Sequence, residues 1–342
     1  MPNYLQQQVL QAITDKTPLQ IIGGNSKAFY GRKVTGKTLH VGDYQGIIHY
    51  EPTELVLTAR CGTPLSEIEN LLAAHGQMLA FEPPHFGDTA TLGGTIATGL
   101  SGSRRAYTSA ARDVVLGVRL INGHGEILKF GGEVMKNVAG FDVSRLQVGA
   151  LGTLGVLLDI SLRILPHPET ELTLVFELSA TDALSRMIVL GKKNSPLSAL
   201  CFVNNQLFVR LSGAEAAIKR VQQTLGGEIL TEAADFWLSI REQQHLFFQT
   251  EQPLWRLSVA PTTPLTGESL IDWGGALRWL KTDEPAEKIF ALAESVAGHA
   301  CRFRAVEGCL FQSLSSGVAR LQSNIKHAFD PHELFNRGHL YL

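Results

Sequence analysis

Three glycine-rich turns in the first half of the chain constrain its fold more than any other feature. Gly23-Gly24-Asn25-Ser26 follows the short apolar run Leu19-Gln20-Ile21-Ile22. Thr91-Leu92-Gly93-Gly94-Thr95-Ile96-Ala97-Thr98 opens a segment that reads as a helix, and Gly149 to Gly155 holds three glycines and Thr153 ahead of a core strand. A single cluster of this kind is usually just a tight turn. Three of them at element junctions present backbone that a ligand can approach closely. Their amides can form anion-binding concavities, and their Ser and Thr hydroxyls add donors. A pyrophosphate needs such a surface.

Two other motifs fail on context. Gly31-Arg32-Lys33-Val34-Thr35-Gly36-Lys37-Thr38 has the letters of a phosphate-binding P-loop. That motif works only between a buried strand and a helix whose first amides meet the phosphates. Here the lead-in Lys27-Ala28-Phe29-Tyr30 is no clear strand, and Leu39-His40-Val41-Gly42-Asp43 cannot nucleate a helix. The spacing Gly149-x-x-Gly152-x-x-Gly155 is not the dinucleotide fingerprint, and it leads into a strand rather than a helix.

The 342 residues allow two domains, or one large domain with a cap. With 44% apolar and 18% charged residues there is ample material for packed cores. A formal net charge of −2 lacks the basic excess of nucleic-acid-binding domains. The cysteines Cys61, Cys201, Cys301 and Cys309 include no pair with the gap of zinc, iron–sulfur or dithiol motifs, so no metal site is expected. All four read as small buried hydrophobes in a reducing compartment. Met1 to Lys16 reads as an amphipathic helix without signal-peptide features. No apolar run reaches the length of a membrane span. These features imply a soluble, cytoplasmic protein that meets a membrane only through partners.

Along the chain, strands are expected at Leu19–Ile22, Leu55–Arg60, Val114–Ile121, Glu126–Phe130 and Gly155–Leu165. A helix is expected over Pro64–His75, with Thr63 as its cap. Asn122-Gly123-His124-Gly125 reads as a hairpin connection. The texture changes at Pro166–Glu169. Beyond it, Glu171–Leu178, Asp182–Lys192, Ala199–Val203, Gln206–Leu211 and Ala214–Leu225 follow the β-α-β-β-α order of half a ferredoxin-like unit. Further signals lie at Ala233–Phe248, Leu254–Val259, Ala276–Leu280 and Glu287–Ala297. No internal repeat is visible.

The order and spacing of the three clusters resemble the FAD-binding domain of the vanillyl-alcohol-oxidase (PCMH-type) family. The matching stretches are Ile21–Ser26, Val56–Gly76, Thr91–Gly94 through Gly102, Asp113–Gly131 and Val148–Val156. Phe329-Asp330-Pro331 with Leu334-Phe335-Asn336-Arg337-Gly338 also matches. Phe81-Glu82-Pro83-Pro84-His85-Phe86-Gly87 and a short cap make the chain most similar to the FAD-binding accessory subunits of bacterial glycolate oxidases.

The resemblance implies an α+β fold. A PCMH-type FAD-binding domain would span 1–168, a smaller ferredoxin-like α+β cap 169–324, and a C-terminal segment 325–342 would return to the first domain. It implies that Gly23, Gly24, Asn25 and Ser26 wrap the FAD pyrophosphate and that Thr91, Gly93, Gly94 and Thr98 line the opposite wall. Gly149, Thr153, Gly155 and Val156 would meet the flavin and ribityl side through backbone atoms, and Asn336 would close the site. Many relatives bind flavin covalently through His or Cys in the first turn. Here that turn continues Lys27-Ala28-Phe29, which implies non-covalent FAD. It further implies oxidation of a small 2-hydroxy acid, glycolate to glyoxylate, beside a sister flavin subunit, with electrons leaving through an iron–sulfur subunit.

One departure has chemical weight. Catalytic relatives carry a His-rich stretch resembling H-x-G-D-G-N-x-H in the cap, and none exists here. Oxidising a 2-hydroxy acid needs a base for the hydroxyl proton and a cation for the carboxylate. The candidates are His85, ahead of the second glycine turn, and Arg104 and Arg105, with Arg112, after it. Two alternatives therefore stand beside the redox subunit: a scaffold of the same fold, and a free-standing flavoenzyme with another substrate.

Overall fold

A computed structural model describes residues 3–132, 142–193, 195–264, 267–304 and 310–341. Two compact units emerge from it. The first comprises Met1–Leu100, Ala110–Pro166 and Ser313–Leu342, and the second Ser101–Ser109 and His167–Gln312. These limits differ from the expected ones at two places. The return to the first unit begins at Ser313, and Ser101–Ser109 groups with the second unit. The physical reason for the latter is a set of buried polar contacts that no local pattern reveals. Ser103 donates to the buried Asp272 carboxylate (2.7 Å), the Trp273 indole donates to the Gly102 carbonyl (2.9 Å), and Arg104 pairs with Glu171 (2.6 Å).

In the first unit an antiparallel sheet runs in the order Ile47–Glu51, Val56–Arg60, Val156–Arg163, Val115–Ile121, Ile127–Gly131. Its middle strand, Val156–Arg163, buries Val156, Leu158, Ile160 and Leu162 on one face, while Leu157, Asp159, Ser161 and Arg163 alternate on the other. The N-terminal helix Asn3–Asp15 buries Leu5, Val9 and Ala12, spaced to share one face. The helix Leu65–Ala74 buries Leu65, Ile68 and Leu72 in the same core. Its cap residue is Pro64, not Thr63. The Thr63 hydroxyl instead accepts from the Gly46 amide (2.9 Å), so a tertiary bond displaces the local cap. The hairpin forms as expected, with the Asn122 side chain accepting from the amides of His124 and Glu126. Leu19–Ile22 pairs in parallel with Lys37–His40. A strand therefore follows the P-loop-like letters, and no helix end is present there to meet a phosphate.

The second unit contains a nine-stranded antiparallel sheet in which one four-stranded topology is used twice, with Leu310–Phe311 added at one edge. In the first half, Thr170–Glu177, Leu197–Val203, Gln206–Gly213 and Glu228–Ile229 lie in the order fourth, first, third, second, with helices Ala180–Gly191 and Glu215–Leu225 as crossovers. This is the complete ferredoxin-like β-α-β-β-α-β unit, not half of one. In the second half, Leu254–Ser258, Ser269–Asp272, Leu277–Lys281 and His299–Arg304 repeat that order. The halves join where Phe202 faces Ile271. The repeat escapes sequence inspection because strand order leaves no fixed residue pattern. The first crossover also holds a helix in one half and none, among the described residues, in the other.

Cys61, Cys201 and Cys301 are buried as expected, and Cys309 lies outside the described residues. No helix among the described residues is long and apolar enough to cross a membrane.

The C-terminal return hinges on Asp330, which is fully buried. Its carboxylate accepts from the Leu334 and Phe335 amides (2.9 and 2.8 Å) and from the Lys326 ammonium, which also donates to the Thr153 carbonyl (2.7 Å). Asp330→Ala leaves two buried amides without their acceptor and takes the counter-charge from the Lys326 ammonium, which keeps only carbonyl acceptors. It should lower unfolding free energy by about 2–4 kcal/mol in denaturant titration, and a loss below about 1 kcal/mol would contradict this anchoring.

Candidate cofactor site

All three glycine turns border one cavity in the first unit, about 780 Å³ counting its open mouth. Gly23, Gly24, Asn25 and Ser26 form one wall. Thr91, Gly93, Gly94 and Thr98 form another, and Gly155 and Asn336 lie between them with Leu151 and Gly152.

The turns differ in what they offer a ligand. Among the described residues, the backbone amides of Gly24, Asn25 and Ser26 have no acceptor within the protein. Asn25 sits at φ +60, in the left-handed region, so these successive amides form a concave row of donors. The Gly152 amide, at φ +69, likewise has no protein acceptor. Amides at a cavity wall without protein partners call for a ligand or water, and their grouping fits a pyrophosphate. The second turn is different. Its Gly93 amide bonds to the Cys61 carbonyl (2.7 Å), Gly94 to the Thr91 hydroxyl (3.3 Å) and Thr95 to the Thr91 carbonyl (2.9 Å). Free donors therefore come from two turns, while the second turn contributes shape and the Thr91 hydroxyl.

Glycine is required where these turns meet. A Cβ on Gly24 would lie 1.4 Å from the Thr89 carbonyl oxygen, and one on Gly93 would lie 2.8 Å from the Cys61 Cβ. Gly94 is roomier, since its nearest neighbour would be the Thr91 hydroxyl at 3.3 Å.

Asn336 ties the walls together. Its side-chain carbonyl accepts from the Ile21 amide (2.8 Å), its NH2 donates to the Leu151 carbonyl (2.8 Å), and its own amide donates to the Leu19 carbonyl (3.0 Å). Gly149 and Thr153 border a second cleft in the same unit, to which Asn336 also belongs. Val156 opens the middle strand with its side chain wholly in the core.

Three of the four catalytic candidates are engaged. The His85 imidazole sits 2.9 Å from the Glu69 carboxylate. In the second unit, Arg104 is buried against Glu171, and the Arg105 guanidinium stacks over the Trp273 ring at 4.2 Å. Arg112 is exposed. Among the described residues no group of three or more His, Cys, Asp or Glu side chains could hold a metal.

Sequence reasoning missed three polar residues in the cavity wall, Lys27, Tyr30 and His339. Lys27 directly follows the first turn, but nothing local signals its burial. His339 comes from the C-terminal return, and its placement depends on Asp330 and Asn336. Burial holds its imidazole below the ordinary pKa, partly offset by hydrogen bonding to the backbone of Leu151 and Tyr30. Cys61 also lines the wall, and burial pushes its thiol up to about 12, so it stays protonated.

A family model described as FAD binding domain matches residues 5–131. Glycolate oxidase subunit GlcE of Escherichia coli (strain K12) is 50% identical over 98% of this chain and 96% of its own length. Glycolate oxidase subunit GlcD of Bacillus subtilis (strain 168) is 32% identical over 39% of this chain and 28% of its own. A crystal structure of p-cresol methylhydroxylase with substrate bound shares the fold, with a TM-score of 0.72 at 13% identity over 98% of this chain and 87% of that one. The chain is thus an FAD-binding protein of the PCMH-type fold, from a family of FAD-dependent oxidoreductases. Within that class it belongs to the family of the glycolate oxidase subunit GlcE.

Burial lowers the pKa of His245 and His299 as well as His339. An unfolded imidazole takes up its proton near pH 6.5, while these remain neutral in the folded chain to lower pH. Stability should be full above that value and fall as the pH drops through it. Thermal unfolding at pH 7.5 and 5.5 should show the fall, and His339→Gln should reduce it; an unchanged pH dependence in the variant would contradict the assignment.

Proposed function

We propose that this chain is the FAD-carrying subunit of a glycolate oxidase complex. Glycolate would be oxidised to glyoxylate, with a sister flavin subunit alongside and electrons leaving through an iron–sulfur subunit. The observation that carries this reading is 50% identity to GlcE along nearly the whole chain. The cavity supports it. In this reading, the amides of Gly24, Asn25, Ser26 and Gly152 hold the diphosphate, with Gly23 allowing close approach. Thr91, Gly93, Gly94 and Thr98 form the facing wall. Gly149, Thr153, Gly155 and Val156 meet the ribityl and flavin side through backbone, and Asn336 fixes the walls in register. FAD is held non-covalently, because the first turn has no His or Cys and the Cys61 thiol stays protonated.

When bound, FAD supplies a two-electron acceptor. The protein's own groups orient it and shield it from water. They offer little acid–base machinery for the substrate. Among the described wall residues His339 is the single imidazole and there is no carboxylate. His85, Arg104 and Arg105 are committed to Glu69, Glu171 and Trp273. This favours a second reading of the division of labour, in which glycolate loses its hydride at the sister subunit and this chain carries flavin for electron passage or assembly. Any membrane attachment of this cytoplasmic complex would run through its partners.

The isolated chain should take up FAD and turn yellow, and should not oxidise glycolate alone. A chain that refuses FAD overturns the flavin reading, and unaided turnover overturns the subunit reading. In the assembled complex Gly94→Trp should fill the cavity without disturbing the fold. Lost flavin with lost turnover places this flavin on the electron path, whereas lost flavin with preserved turnover makes the chain a scaffold.

A further inference from the structure

The wall of the cavity is electrostatically one-sided. Among the described residues that line it, Lys27 carries the only permanent charge and there is no Asp or Glu. Lys27 is 92% buried, since only 8% of it remains exposed. Lysine is among the residues least often buried. A diphosphate would bring a dianion into the same space. Main-chain amides supply partial charges only, so a buried dianion held by them alone remains undercompensated.

The structure also fixes where the ammonium points. Its Nζ lies 3.1 Å from the His85 carbonyl oxygen and 3.5 Å from the Ser26 hydroxyl, beside the row of free amides. The Ser26 hydroxyl donates to the same His85 carbonyl (2.8 Å). That carbonyl belongs to a stiff loop. Glu82 and Phe86 hold left-handed backbone at φ +44 and +52, the Phe86 ring packs edge-on against Phe29, and the His85 imidazole is tied to Glu69. Strain of this kind in non-glycine residues persists where surrounding contacts fix a functional geometry.

We infer that Lys27 is the counter-charge for the FAD diphosphate and that the His85 loop positions it. The inference rests on the reading that this cavity holds FAD. His85 then serves through its backbone, as a positioning residue rather than as a base. Charge-assisted hydrogen bonds contribute roughly 1.5–3 kcal/mol, so removing the ammonium should weaken FAD binding about ten- to hundredfold.

The test uses the full chain stripped of flavin, with FAD and riboflavin as probes and flavin fluorescence as the readout. Riboflavin keeps the ring and ribityl chain but has no phosphate. Lys27→Met should lose FAD affinity by the stated factor with riboflavin affinity unchanged, and Lys27→Arg should restore most of the loss. In the unaltered chain, added salt should weaken FAD more than riboflavin, an arm that requires no variant to fold. Equal losses for both probes would make Lys27 merely a wall residue, and no loss with either would remove it from the site; each outcome overturns the inference while leaving the FAD reading intact. If the unaltered chain binds neither probe, the FAD reading itself fails, and the inference with it.

Discussion

Asn336 holds the first and third glycine turns in one register. Its side chain bridges the Ile21 amide and the Leu151 carbonyl, two segments that are far apart in sequence. The Asp330–Lys326 anchor delivers Asn336 to that place, and Lys326 itself reaches the Thr153 carbonyl. A cavity between turns needs such cross-ties, because loops that merely approach one another do not keep donors aligned. The C-terminal return is therefore part of the site wall rather than a tail on the fold.

With that register fixed, the division of roles among the turns follows from hydrogen bonding. The first turn and Gly152 keep amides free for an anion. The second turn uses its amides on Cys61 and Thr91 and supplies a surface instead. The chain belongs to an FAD-binding class, and the described wall of its cavity carries no carboxylate. In the proposed reading it acts as one member of an assembly.

Features set by local sequence were legible in advance. The three glycine turns, the hairpin at Asn122–Gly125 and the helix at Leu65–Ala74 all follow from spacing and turn chemistry. Where tertiary contacts compete, local reading slipped, as at Thr63, whose hydroxyl faces Gly46 instead of capping a helix. The helix Ser316–Phe329 has no counterpart among the expected elements, although Val318, Leu321, Ile325 and Phe329 recur at helical spacing; none of its residues is fully buried. The doubled strand order of the second unit is a property of pairing, which composition does not encode. Lys27 and His339 escaped for a related reason: burial of a polar side chain depends on segments that approach from elsewhere in the chain. The free amides were legible as a possibility at all three turns. Only the hydrogen-bond pattern separated the two turns that offer donors from the one that does not.

The central claim is that free amides from two glycine turns receive a diphosphate. A crystal structure of the chain grown with FAD measures this most directly. The diphosphate oxygens should lie within hydrogen-bond distance of the Gly24, Asn25, Ser26 and Gly152 amides. FAD bound with its diphosphate elsewhere, and those amides facing water, would contradict the account.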